Sequence, residues 1–171
     1  MGSAIGGLYS PIIALLAFVV LSVQVRSQLK SEAHNVDMLF IQGCKEDIEF
    51  GITRLESELG VQISDHSETV GDYLNRISDD YIDQRIDEAE AEKLFCDFNS
   101  LFLKVLPLWC SVNSTLLGLG NSQIFPYEHN FVASKLKTNG VLAPKCCKSL
   151  DMLIFFTVGS SNNLLFWDKP T

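Results

Sequence analysis

The stretch PKCCKSLDMLIFFTV, residues 144–158, decides the fold. It opens on a proline and is followed by Gly159. That is the asymmetry of a helix, because proline lacks an amide the first turn leaves unbonded anyway and glycine suits the last turn. Its second half, residues 152–158, is apolar nearly all round. A buried strand paired with residues 164–167 across a Gly-Ser-Ser-Asn-Asn turn therefore competes with the helix. The helical reading gives a mainly α bundle of four or five helices, and the strand reading adds a short C-terminal β-hairpin.

Outward from this stretch, the same periodicity predicts the other helices. Over residues 33–59 apolar positions recur at three and four residues: Val36, Leu39, Phe40, Cys44, Ile48, Ile52, Leu55 and Leu59. Gly43 and Gly51 interrupt it and mark either a kink or the close approach of another segment; Gly60 is the expected stop. Val70, Tyr73, Leu74 and Ile77 form one face of a shorter segment. Ser78 followed by Asp79 and Asp80 then predicts a new helix start, since a serine cap and early acids suit the positive end of the dipole. That helix runs to Leu106 and ends at Pro107, with an acidic exposed first half and an apolar second half. Residues 111–125 read as a loop. Residues 127–138 read as a short helix stopped by Asn139 and Gly140.

The five cysteines, Cys44, Cys96, Cys110, Cys146 and Cys147, depend for their meaning on the other end of the chain. Residues 11–23, PIIALLAFVVLSV, have the length of a signal-peptide h-region and fall short of the roughly 20 residues of a comfortable membrane span. Val25, Arg26 and Ser27 supply a cleavage site before Gln28, so residues 1–27 read as a signal peptide and 28–171 as one secreted domain. A retained anchor is the alternative. Residues 1–10 carry no Lys or Arg, whereas Arg26 and Lys30 follow the run, which places the C-terminal part in the cytosol by the positive-inside rule.

In an oxidising compartment the cysteines would pair as two bridges, leaving one thiol for a disulfide-linked dimer. Cys96 and Cys110 would stand roughly 20 Å apart if one helix joined them, so each would take its partner among Cys44, Cys146 and Cys147. The connectivity itself stays open.

Removing the leader takes away Arg26 and leaves 12 basic against 21 acidic residues, a net charge of −9. Such a balance argues against nucleic acid and anionic membrane surfaces as partners. Asn113, with Ser114 and Thr115, forms an N-glycosylation acceptor in the expected loop. The acids between Asp79 and Glu92 lack calcium-loop spacing and read as a solvated face. A Cys110–His129 nucleophile pair lacks an orienting third group, and no catalytic, metal or cofactor signature is visible. The expectation is a secreted, non-enzymatic protein that binds an extracellular protein partner through its helical surface, with no stable membrane span after cleavage. A carrier of a lipophilic ligand, in an apolar cavity lined by Phe98, Phe102, Phe155 and Phe156, is the alternative, and a lumenal enzyme is the third class.

Overall fold

A computed structural model describes residues 2–63, 67–121, 126–159 and 164–168, with side chains described from Ile12 onward. The described residues form six helices and no strand: α1 (Gly2–Leu59), α2 (Val70–Ile82), α3 (Glu88–Leu101), α4 (Val105–Gly120), α5 (Tyr127–Leu142) and α6 (Pro144–Val158). The chain divides into two units, Met1–Gln42 and Gly43–Thr171.

The first unit is the N-terminal part of α1. Every large apolar side chain from Ile12 to Val25 is at least half exposed, and so are Val36, Leu39 and Phe40. The apolar stripe predicted over residues 33–59 is therefore a core stripe only in its later part.

The second unit is a helical core. Cys44, Ile48, Ile52, Leu55 and Leu59 of α1 are buried at spacings of three and four. Gly51 sits where a Cβ would lie 2.5 Å from Val112 Cγ2, so this glycine marks close packing against α4; Gly43 has open space beside it. The central element is α6, which packs on α2, α3, α4 and α5. Being apolar nearly all round is what such a position requires. The hairpin alternative is thereby corrected: residues 144–158 are helical, capped by Gly159 in the left-handed conformation (φ 71°), and its turn, 160–163, lies outside the described residues.

Four other boundaries move. Ser78 lies inside α2, where its buried hydroxyl donates to the Leu74 carbonyl at 3.0 Å, so it starts no helix. The real starts are Thr69, in a reciprocal capping box with Asp72, and Asp87, whose carboxylate accepts from the Glu90 amide. Pro107 falls in the first turn of α4 and ends nothing, because its missing amide costs no hydrogen bond there. The predicted loop from 111 is the body of α4, with Val112, Leu116 and Leu119 buried; residues 122–125 lie outside the described residues.

α5 runs through Asn139 and Gly140 to Leu142, and the stop comes at Ala143, which has φ 65° and ψ 145°. That region is costly for a residue with a Cβ, by about 1–3 kcal/mol. Ala143→Gly is expected to raise stability by about 1 kcal/mol after the greater freedom of glycine in the unfolded chain is subtracted. Urea denaturation measures this as a higher midpoint at unchanged slope.

Candidate functional site: an apolar cleft at the α3–α4 corner

The axis turns by 101° between α3 and α4. At the corner Phe102 faces inward, its ring 4.9 Å from Phe98 and 6.4 Å from Tyr73. Its neighbours are then driven outward: Leu101 is 69% and Leu103 70% exposed. With Val61, 51% exposed, and Val70 and Val105 behind, they line a cleft of about 240 Å³. A second hollow of about 360 Å³ adjoins it, bordered by Arg54, Pro107 and Leu108. The two share Glu58, Leu103 and Lys104, and Lys104 Nζ meets Glu58 Oε1 at 2.9 Å on the shared rim. Large aliphatic groups exposed together around a concavity, with charges at the rim, are the composition of a contact surface.

A wider groove of about 580 Å³ lies beside the α2–α3 turn, lined by Tyr81, Ile82, Arg85, Ile86, Lys148 and Trp167 among others. Its most prominent cation is occupied, because Arg85 bridges Asp80 at 2.8 Å and Asp83 at 2.6 Å. Lys145 likewise meets Asp79 at 2.6 Å. Part of the acidic face is thus neutralised by basic neighbours.

The most polar point of the interior is Asp151, in the middle of α6 and fully buried. Trp109 Nε1–H donates to its Oδ1 at 3.0 Å. Three successive amides, those of Leu165, Phe166 and Trp167, donate to Oδ2 at 2.8, 2.6 and 3.2 Å. Burial pushes the carboxyl above its usual range, opposed by these four hydrogen bonds, which favour the charged form. The carboxylate fastens the C-terminal segment: the Phe166 ring lies 5.6 Å from Trp109, and the Trp167 ring 5.3 Å from Phe155. Its four hydrogen bonds tie the C-terminal segment and α4 to α6.

The residues singled out from sequence fall in different places. Phe98 and Phe102 meet each other. Phe155 and Phe156 meet at 5.0 Å, and Phe156 stacks on Phe95 at 5.0 Å and meets Tyr81 edge-on. These rings fill core through mutual packing, and Phe102 alone of the four borders the cleft described above. Asn113 sits on α4 at 2% exposure, not in a loop. A glycan there would require the side chain to leave the core.

All five cysteines are unbonded thiols, with Cys44, Cys146 and Cys147 buried, Cys110 half-buried and Cys96 exposed. The 101° corner removes the continuous helix on which a 20 Å separation of Cys96 and Cys110 depends. Burial pushes the Cys146 thiol up to about 11 and Cys147 up to about 12, the latter helped by Cys146 and Asp151. Burial also raises Cys110, and burial followed by Asp47 raises Cys44. A raised thiol pKa opposes thiolate chemistry, which weakens the Cys110–His129 nucleophile pair further. Maleimide labelling of the native protein, read by peptide mass, is expected to modify Cys96 first and Cys146 and Cys147 only after denaturation.

Among the described residues no group of three or more His, Cys, Asp or Glu could hold a metal ion. Comparison with protein-family models, curated proteins and solved structures finds no match.

Proposed function

We propose that the helical unit is a non-enzymatic binding module whose contact surface is the apolar cleft at the α3–α4 corner, with a protein as its partner. The observation that carries this reading is the joint exposure of Leu101, Leu103 and Val61 around one concavity. An isolated exposed aliphatic residue is ordinary, but three around a hollow are aliphatic area that a partner's side chain can bury. The ion pair between Lys104 and Glu58 would sit at the rim, where it favours register more than affinity.

A photo-crosslinker placed at position 103 of the full-length protein in its native cells tests this. A discrete adduct is expected from position 103, absent from the exposed control position Lys93, and lost when Leu101→Asp is added while the helical circular dichroism is unchanged. Equal background at both positions would sink the reading. The carrier alternative draws support from the apolar lining of the same cleft, and native mass spectrometry distinguishes it by a co-purifying lipophilic mass that Leu101→Asp removes.

Secretion with two disulfides belongs to the cleaved-leader reading of the sequence. In an oxidising compartment Cys96, exposed on α3, would be the thiol available for an intermolecular bond. A dimer split by reductant and abolished by Cys96→Ser would support that arrangement.

A further inference from the structure

We infer that residues 2–25 form a retained transmembrane anchor, with the hydrocarbon core of a bilayer as its partner, and that the helical unit lies on the cytosolic side. The inference concerns location and stands independently of the cleft.

Counting apolar residues alone finds a run too short to span. The helix changes that count, because α1 begins at Gly2 and continues without a break through Ser10 and Pro11. Residues 2–25 contain no charged side chain. As helix, those 24 residues rise about 36 Å, enough for a hydrocarbon core of about 30 Å with some tilt.

The exposure pattern fits lipid better than a protein groove. The ten large apolar side chains between Ile12 and Val25 are at least half exposed, and they lie on all sides of the helix. An amphipathic docking helix would confine them to one stripe. One hydroxyl within the span is internally satisfied, as lipid demands: that of Ser22 donates to the Phe18 carbonyl at 2.8 Å.

Two observations favour an anchor over a cleaved signal. The cleavage stretch, residues 25–28, lies inside α1. A peptidase reads an extended backbone, and neither proline nor glycine occurs between Pro11 and Gly43 to release one from the helix. Arg26 and Lys30 then follow the span directly, and the positive-inside rule keeps the flank that carries them in the cytosol. That orientation places the five cysteines in a reducing compartment and keeps the buried Asn113 away from glycosylation machinery.

The test uses the full chain, expressed in eukaryotic cells with an Asn-Gly-Thr acceptor appended after Thr171. The expected product stays in carbonate-washed membranes and retains residues 1–27 by intact mass. It carries no glycan on the appended acceptor, and Cys96 reacts with a membrane-impermeant maleimide only after the plasma membrane is permeabilised. A product beginning at Gln28 would overturn the inference, as would a glycosylated acceptor or a full-length chain that carbonate releases.

Discussion

Asp151→Ala is expected to cost about 3–5 kcal/mol, the scale of removing one partner from a buried charged network. The loss is not that of one side chain. Four donors converge on this carboxylate, the Trp109 indole and the amides of Leu165, Phe166 and Trp167, and alanine leaves all of them without their acceptor. The three amides belong to a segment that can leave, so the expected response is detachment of residues 164–168 and exposure of the buried Trp167. Hydrogen exchange at residues 165–167 should rise towards the unprotected rate, and the thermal midpoint should fall by on the order of 10 °C. Asp151→Asn should lie between the two proteins, because its one carbonyl oxygen can serve the three amides while its NH2 group opposes Trp109. An alanine variant that melts like the wild type with residues 165–167 still protected would show that the tail is held by its aromatic rings alone.

The same residue fixes the sign of a pH effect. Burial raises the folded-state pKa of Asp151 above that of the unfolded chain, so the folded state binds its proton more tightly. The stability from this group is fully present below the unfolded value, about 3.9, and is lost as pH rises through the raised folded value. Other carboxylates titrate in the same window, so the informative quantity is the difference between wild type and Asp151→Asn. The wild type's advantage is expected to be largest below pH 4 and to shrink as pH rises. An advantage that grew with pH would mean that the four hydrogen bonds outweigh burial.

Much of this fold was legible in the sequence. The stripe Cys44, Ile48, Ile52, Leu55, Leu59 and the face Val70, Leu74, Ile77 are buried where their spacing puts them. The failures have particular causes. Pro107 reads as a terminator because proline breaks helix interiors, yet in a first turn it is tolerated, and only the corner at Phe102 makes that turn a first one. Gly118 and Gly120 pull residues 111–125 towards loop, although Trp109, Val112, Leu116 and Leu119 carry helical spacing.

The cleft was hidden by the same corner. In an unbroken helix Leu101 and Leu103 belong to a general apolar half; once the chain turns, Phe102 takes the core and both leucines face solvent. Asp151 did leave a signal, as the lone acid in a run buried on all sides. Its partners lie 14 to 16 residues onward and 42 residues back, separations that no local pattern encodes.

Gly51 supports the second prediction. Its α-carbon faces Val112 so closely that a β-carbon added there would stand 2.5 Å from Val112 Cγ2. Both helices are fixed at this point by buried neighbours, Ile48, Ile52 and Leu55 on α1 and Trp109 and Leu116 on α4. A tightly packed interior relaxes only in part, so added volume appears as strain. Gly51→Ala offsets some of this by the better helix propensity of alanine, about 1 kcal/mol, and by the readiness of one valine methyl to rotate. Its net cost should therefore be small. Gly51→Leu has no such outlet and should cost about 3 kcal/mol, at the upper end of overpacking. Shortening the opposing residue is the decisive control. Val112→Ala alone should destabilise by about 2 kcal/mol through its cavity, while Gly51→Ala in the Val112→Ala background should be stabilising, because the new methyl fills the space the valine left. A cycle of these variants by denaturant unfolding is expected to give a coupling of about 1 kcal/mol or more in favour of the double mutant. Strict additivity would mean that the two helices do not touch at this pair, and that Gly51 marks a bend in α1 instead of a contact.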